Sequence, residues 1–263
     1  MPKFTAIGRE QFSKLRWIRP QNSAFAAQET TAPIVAAELA KIIPLMPVAF
    51  VRHNDQFQLS ALLSFVAGRN MFIGPNGNWL GGYVPSSIRS YPFKLIRPEP
   101  SADPVLCLDQ ESGLVTDDPK LGEEFFAPDG SVAPPLKAIL DFLGEMDRNR
   151  AATQLAVASL EQQGVIMPWP ITVQTPEGQK MLDGLFRIDE AAMNALPEDQ
   201  FAKLRATGAL PIAYGQLFSM SQLSVFQKLA ELQAKLAPKP PAPLPDTLDK
   251  LFDTSNNEHL RFD

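Results

Sequence analysis

Short runs of alternating apolar and polar residues dominate the first half of the chain, and this period of two is typical of half-buried strands. The predicted strands are Pro47–Val51, Phe57–Phe65, Met71–Ile73, Asn78–Tyr83, Phe93–Ile96 and Val105–Leu108. Turn-forming residues separate the members of two hairpins, His53-Asn54-Asp55 in the first and Pro75-Asn76-Gly77 in the second. Because these connections are short, we expect a mainly antiparallel sheet.

Residues 1–32 follow neither period and are interpreted as an irregular arm. Its isolated apolar anchors are Phe4, Phe12, Trp17 and Phe25. Pro33 then opens a short helix, which Pro44 ends because proline cannot continue it. The apolar stripe of that helix consists of Val35, Leu39 and Ile42. Glu38 lies off the stripe.

After about residue 131, the apolar residues recur with the spacing of an α-helix. The predicted helices are Leu136–Glu145, Arg150–Gln163, Ala191–Leu196, a helix from Pro197 to Gly208, and Pro211–Leu236. Gly164 is placed to end the second of them, and Asp189 to cap the start of the third. The expected buried stripe of the last helix is Leu223, Phe226, Leu229, Leu232 and Leu236. A hairpin of Ile171–Gln174 and Leu182–Ile188 is predicted among these helices.

These elements predict an α+β fold with a mainly antiparallel N-terminal sheet and hairpins, followed by a helix-rich C-terminal half and an extended tail. Residues 1–236 are expected to form a single domain, β-rich at about 33–130 and helix-rich at about 131–236. Residues 237–263 are a proline-rich linker and tail, because five prolines within residues 238–245 exclude a helix.

The tail has two interpretations. It is either a disordered terminus or a segment that docks onto its own chain or onto a neighbouring subunit, which would make the protein a homo-oligomer. The apolar residues available as docking anchors are Leu251, Phe252, Leu260 and Phe262.

Charge is unevenly distributed along the chain. The net charge of −5 gives no reason to expect nucleic-acid binding. Residues 1–98 carry 11 Lys/Arg and 4 Asp/Glu, a balance of +7, whereas residues 99–130 carry 1 Lys and 9 Asp/Glu, a balance of −8. Either the two regions face each other in the fold, or the first forms a basic surface for an anionic partner.

The sequence predicts no membrane span, because no apolar stretch reaches the roughly 18 residues that crossing a bilayer requires. The first residues also lack the apolar core of a Sec-type signal peptide, so we expect a cytoplasmic location. The single cysteine, Cys107, cannot form an intramolecular disulfide. It lies in an apolar run, where a buried, inert thiol is expected.

Two histidines, His53 and His259, limit the available chemistry. Zinc sites built from Cys and His clusters are excluded by count. His53 and Asp55 have the spacing found in some iron sites, but they also make a good turn. Asp109–Asp129 is acidic enough for an oxygen-ligand calcium site, although it lacks the EF-hand pattern. No nucleophile elbow or phosphate-binding glycine loop occurs, so no catalytic residue, metal site or cofactor is predicted.

Residues 78–93 are the most distinctive segment. Trp79, Gly81 and Tyr83 would share one face of the predicted strand, and an arginine and another tyrosine follow a short turn later. Such residues can line a groove for a ligand or peptide. They can equally form a corner of the core, which is the commoner arrangement. The candidate partner-binding residues are Trp79, Tyr83, Arg89 and Tyr91.

The same segment carries a family resemblance. The motifs concerned are Gly77-Asn78-Trp79, Tyr83-Val84-Pro85, Arg89-Ser90-Tyr91-Pro92-Phe93, Leu106-Cys107-Leu108-Asp109, Gly122-Glu123-Glu124-Phe125-Phe126, Asp129-Gly130, the run from Leu182 to Glu190, Gly208-Ala209-Leu210 and Leu260-Arg261-Phe262. Over roughly residues 10–235 the chain resembles the SapC family. The resemblance implies a bacterial protein linked to surface-layer assembly or export, with association at the cell surface. It brings no agreed catalytic residues.

Two functions are left open. The first is a non-catalytic binding or assembly protein that engages a protein or peptide partner through residues 78–93 or through the tail. The second is an enzyme, or an accessory subunit of a peptide- or protein-modifying system, because some relatives are associated with halogenase-like and oxygenase-like proteins. The low histidine content and the missing motifs favour the first.

Overall fold

The computed structural model describes residues 3–99, 103–175 and 178–237 of the 263-residue chain. Its strands are β1 (Phe4–Ala6), β2 (Arg16–Trp17), β3 (Thr31–Pro33), β4 (Val48–His53), β5 (Gln56–Leu62), β6 (Phe93–Ile96), β7 (Val105–Asp109), β8 (Val115–Thr116), β9 (Glu123–Glu124), β10 (Ile166–Pro168), β11 (Ile171–Thr175), β12 (Gly178–Leu182) and β13 (Leu185–Ile188). Its α-helices are α1 (Arg9–Phe12), α2 (Leu39–Ile42), α3 (Ser86–Arg89), α4 (Pro134–Gln162), α5 (Glu190–Asn194), α6 (Glu198–Ala206), α7 (Ala209–Ser219) and α8 (Val225–Leu236). Antiparallel sheets dominate the N-terminal half and helices the C-terminal half, which confirms the predicted α+β class.

A five-stranded antiparallel sheet forms the centre of the fold, in the order β10-β13-β4-β5-β3. The predicted hairpin at its middle is confirmed, with His53 opposite Gln56. Asn54 and Asp55 adopt φ angles of 47° and 60°, the left-handed conformation that a tight hairpin turn requires of both central residues. β10 and β13 come from the helix-rich half, so strands from both halves share one sheet.

The expectation of an irregular N-terminal arm is wrong. β1 pairs with β7, β2 lies between β8 and β9, and β3 forms an edge of the central sheet. These strands are two or three residues long, too short to show a period, and they form because distant strands offer backbone partners. Phe12 and Trp17 are buried as anchors, whereas Phe25 is exposed.

The second predicted hairpin is reduced to a closed turn. Gly74 N–H donates to Asn78 O at 2.8 Å, and one isolated bridge joins Ile73 to Trp79. Residues 80–85 then leave without forming a strand. Consequently Trp79, Gly81 and Tyr83 do not share a strand face.

The C-terminal hairpin is also arranged differently from the prediction. Ile171 lies opposite Leu182 in the pair β11 and β12, while β13 turns away to join the central sheet between β10 and β4. The end of α4 and the start of α5 were nevertheless predicted correctly. Gly164 has a φ of 67° just after α4, and Asp189 Oδ1 accepts from Ala192 N–H at 3.0 Å to cap α5.

α4 is a single 29-residue helix where two helices were predicted. Its first half buries Leu136 and Leu143 in one apolar cluster, and its second half buries Val157 and Leu160 in another. Residues 144–152 between them contain no buried side chain. The apolar period therefore stops because the helix crosses from one core to the next, and not because the helix ends.

The predicted final helix is likewise divided, into α7, a 3₁₀ turn at Met220–Ser224, and α8. Phe226 and Leu229 are buried as expected, but Leu232 and Leu236 are exposed. Gln233 faces inward instead, because its Nε2 group donates to the carbonyls of Met71 at 2.7 Å and Ile73 at 3.0 Å. The end of α8 is thus fixed by an amide side chain rather than by the leucine stripe.

The basic and acidic regions of the sequence do face each other. β2 and β9 pair directly, and their flanks carry ion pairs between Arg16 and Glu124 at 2.8 Å and between Arg19 and Glu123 at 2.5 Å. These two ion pairs account for part of the charge asymmetry within the fold.

Candidate functional site

Glu38 organises the segment that contains the candidate residues. It ends a 3₁₀ turn, and its carboxylate is buried, with 3% of the residue exposed. Oε1 accepts from Tyr83 O–H at 2.9 Å and from Ser86 N–H at 2.7 Å. Oε2 accepts from Ser86 O–H at 2.7 Å and from Val35 N–H at 3.2 Å. Four donors satisfy this buried charge, as burial of a carboxylate requires.

The sequence did not identify this residue, since Glu38 lies off the apolar stripe of its helix. The available signal was its position three residues after Val35, where a glutamate can accept from the backbone N–H at the start of a helix. That signal is weak without Ser or Thr at the first position.

Tyr83 connects Glu38 to the positively charged side chains around it. The Lys41 ammonium and the Arg89 guanidinium each lie 5.5 Å from the centre of its ring. Burial, followed by the hydrogen bond to Glu38, raises the pKa of Tyr83 to about 12, although the Arg89 charge acts in the opposite direction. Tyr83 therefore remains a neutral hydrogen-bond donor across the physiological range.

Tyr91 is held in a similar way at the other end of the segment. Its hydroxyl donates to Oδ2 of the buried Asp109 at 3.0 Å, and its ring stacks on Phe25 with centroids 4.0 Å apart and planes 16° apart. Burial and the Asp109 hydrogen bond raise the pKa of Tyr91 to about 12. Phe25 keeps 39% of its surface exposed, so an aromatic face is presented to solvent.

Trp79 packs flat on Phe72, with ring centroids 5.2 Å apart. Gly81 allows this position, because a Cβ at Gly81 would lie 2.8 Å from Trp79 Nε1 and 3.0 Å from Phe72. This contact arises in an irregular segment and not across the strand face that the sequence predicted.

A cavity of about 520 Å³ lies beside these residues. We call it the aromatic groove and define it by six of its lining residues: Trp17, Phe25, Trp79, Arg89, Tyr91 and Phe93. Three of the four predicted residues line it. Tyr83 does not, and it acts through its contact with Arg89. Trp79 and Tyr83 are both partly exposed, so neither is the fully buried core residue that would have argued against a groove.

Two arginines lie along the groove, and they differ in their pairing. Arg19 forms the ion pair with Glu123, and this hydrogen bond raises the pKa of Arg19. Arg89 is exposed and lies over the rings of Tyr83 and Phe142, the latter at 5.0 Å. Within the described ranges Arg89 makes no ion pair, so its charge is available to a ligand.

Both groove tryptophans carry a buried N–H group that lacks a hydrogen-bond acceptor among the described residues. These groups are Nε1 of Trp17 and Nε1 of Trp79. Buried indole N–H groups ordinarily find an acceptor, because an unpaired donor loses its hydration without compensation. Each N–H is covered by neighbouring atoms, and that of Trp79 lies against Gly81 and Phe72.

A second cavity, of about 610 Å³, lies between α4 and the β3–β5 edge. Asp147 on its wall is paired with Arg97, and it also lies 3.7 Å from Arg150. Two arginines share this one aspartate, and the cavity lining among the described residues contains no aromatic side chain, so we take the aromatic groove as the better candidate.

The remaining candidates do not gather around a site. His53 is exposed at the end of β4, and Cys107 is buried, which raises the pKa of its thiol. In the part of the chain that the structure covers, no three His, Cys, Asp or Glu side chains form a group that could hold a metal ion. Leu260 and Phe262, the predicted tail anchors, lie outside the described residues.

The fold and groove define an α+β protein with an aromatic cavity beside its helical half. The family model of SapC matches residues 7–226, and the chain belongs to the SapC family. No curated protein and no solved structure matched the chain. None of the helices within the described ranges is both long and apolar enough to span a membrane.

Proposed function

We propose that this SapC-family chain is a non-catalytic binding protein that engages an extended segment of a protein partner through the aromatic groove. The observation that carries the proposal is the exposed Phe25–Tyr91 stack, which lines the same cavity as Arg89. Aromatic and arginine side chains are the residue types that contribute most to protein-binding hot spots. The cavity volume also falls within the range of sites that bind small ligands or short peptide stretches.

The groove indicates the chemistry of the segment. Flat aromatic faces suit proline or aliphatic side chains. The guanidinium of Arg89 suits a carboxylate, which it can contact through two parallel hydrogen bonds. The preferred ligand is therefore an extended peptide that carries proline or aliphatic residues and at least one acidic side chain.

Membership of the SapC family supports a place for this binding in surface-layer assembly, or in the export or modification of peptides and proteins. In this proposal the chain recognises a component of such a system and does not itself carry out a reaction. Residues that position the groove, such as Glu38 and Asp109, act as structural supports.

A display library of random peptides, selected on the immobilised full chain, tests the proposal. Selected peptides are then measured by fluorescence anisotropy against Phe25→Ala and its matched control Phe218→Ala. Phe218 is 65% exposed and stacks on Tyr214, so it reproduces the exposed stack at a distant position. Loss of a hot-spot aromatic should weaken binding by roughly 30-fold in Phe25→Ala only.

A second pair of variants tests the charge. Arg89→Glu should weaken the selected acidic peptides by about tenfold or more, whereas Arg205→Glu, an exposed arginine on α6, should not. The proposal is wrong if no peptide is enriched, or if the enriched peptides bind all four variants as they bind the wild type.

A further inference from the structure

We infer that residues 238–263 of the same chain are an intramolecular ligand of the aromatic groove, so that a partner segment must displace them. The inference rests on the proposed function, because it names a competing occupant of the same groove. Four features support it: where the described chain ends, how far the following residues reach, their chemistry and their charge.

The last turn of α8 contacts the backbone segment that is bridged to one groove residue. Gln233, in the last turn of α8, donates to the carbonyl of Ile73 at 3.0 Å. Ile73 is in turn the bridge partner of Trp79, which lines the groove. The Gln233 side chain and the backbone bridge between Ile73 and Trp79 together span the gap from the backbone of α8 to that of Trp79. This distance is on the order of 15 Å.

The next residues are long enough to cover that distance. Residues 238–245 contain five prolines, and a polyproline II segment of eight residues extends about 25 Å, at roughly 3.1 Å per residue. The run can therefore start at the end of α8 and pass along the groove with chain to spare. Tethering also gives the segment a high effective concentration, in the millimolar range for a short linker.

The chemistry of the segment matches the groove. Proline-rich segments dock on surfaces lined by aromatic rings, because their conformation is preformed and little entropy is lost on binding. Their backbone carbonyls have no intrachain hydrogen-bond partner. They are free to accept from an exposed donor at the groove such as the guanidinium of Arg89.

The charge of the following residues is complementary as well. Residues 246–263 contain 5 Asp/Glu and 2 Lys/Arg, a balance of −3. Of the two arginines that line the groove, Arg19 is already paired with Glu123. Arg89 has no ion-pair partner in the described part of the chain, so it is the group placed to receive an acidic side chain from the tail.

Site-specific photo-cross-linking in the full chain tests the inference. p-Benzoylphenylalanine replaces Leu244 in one protein and Leu260 in a second, and the cross-linked residues are identified by mass spectrometry. A third protein carries the photoreactive residue at Phe218 as an exposed control. The expected result is a cross-link within one chain to residues 17–25 or 78–93, at a yield independent of protein concentration and well above that of the control.

Three results would overturn the inference. Cross-links to other surfaces, or none above the Phe218 control, mean that the tail does not occupy the groove. Cross-links between two chains, with a yield that rises with concentration, mean that the occupant is the tail of a second copy.

A competition measurement separates this inference from the proposed function. Serine replaces the five prolines of residues 238–245, and the affinity of a selected peptide is measured again. Removal of an internal competitor should tighten peptide binding by roughly tenfold. Unchanged affinity in a protein whose peptide binding still depends on Phe25 overturns the inference and leaves the proposed function standing. If no peptide binds but the tail cross-links to the groove, the proposed function is wrong and the inference stands.

Discussion

The hydroxyl of Tyr83 donates a 2.9 Å hydrogen bond to the buried carboxylate of Glu38, which joins the loop before α3 to the turn before α2. The same carboxylate accepts from both the backbone and the side chain of Ser86. A charge at the centre of the fold therefore sets the path of residues 83–86. Arg89 follows directly and is held above the ring of Tyr83.

Tyr83→Phe should lower the free energy of unfolding by about 1.5–3 kcal/mol, because a carboxylate loses one of its hydrogen bonds. Tyr214→Phe is the matched control, since the Tyr214 hydroxyl makes no hydrogen bond within the described residues. Urea unfolding followed by circular dichroism measures both. Equal stabilities of the two variants would show that the Tyr83–Glu38 contact contributes nothing.

Stability should fall between about pH 10 and 12, because folding raises the pKa of both Tyr83 and Tyr91 to about 12. Below pH 10 both phenols are protonated in the folded and unfolded chains, and their contribution is fully present. Above pH 10 the unfolded chain ionises first, so folding is progressively disfavoured until the folded pKa is passed. Both tyrosines are partly exposed, and screening by solvent reduces the expected loss to about 1 kcal/mol each.

The check on this pH dependence is urea unfolding at pH 9, 10, 11 and 12 for the wild type, Tyr83→Phe and Tyr91→Phe. In each variant, the fall in the free energy of unfolding over this pH range should be about half of that in the wild type. If both variants lose stability with pH as steeply as the wild type does, the loss of stability at alkaline pH comes from other groups.

Gly81→Ala should displace the Trp79 ring, because the new Cβ would lie 2.8 Å from the indole nitrogen and 3.0 Å from Phe72. We expect a loss of about 1–3 kcal/mol and a change in near-ultraviolet circular dichroism. Gly82→Ala is the neighbouring control, since its Cβ would meet only Leu45, at 3.5 Å. Indistinguishable spectra for the two variants would contradict the described packing of Trp79.

Gly144→Ala should stabilise the protein by about 0.5–1 kcal/mol, because α4 continues through this position and alanine is the better helix former. The new Cβ meets only the end of Arg148, at 3.7 Å. The reverse substitution at the exposed Ala151, Ala151→Gly, should cost a similar amount. Thermal unfolding measures both variants, and a Gly144→Ala protein that is less stable than the wild type would contradict the helical conformation of residue 144.

The sequence predicted features that depend on neighbours along the chain. Asn54 and Asp55 tolerate the left-handed conformation, so they marked the β4–β5 turn correctly. Asp189 marked the start of α5 for an equally local reason, since its side chain accepts from a backbone N–H three residues later. Such signals require no knowledge of the rest of the fold.

The sequence failed where distant partners decide the outcome. Glu38 is buried because Tyr83 and Ser86 supply donors, and no spacing within its own helix announces them. Gln233 replaces a leucine at the α8 interface because the carbonyls of Met71 and Ile73 need a donor there. Three of the four candidate residues, Trp79, Arg89 and Tyr91, line the aromatic groove, and their role in binding a partner stays a prediction.

The stability of the first half of α4 depends on residues that also form the wall of the groove. Its first half rests on the smaller core, which contains Trp17 and Phe93 from the groove wall, and Ile139 of the helix lines the cavity itself. If that core loosens, the first half of α4 loses its apolar support, and local opening of this half becomes easier. A ligand that braces Trp17 and Phe93 should therefore slow amide hydrogen exchange along residues 136–143. Occupancy of the groove could then be measured on a helix, without any label on the ligand.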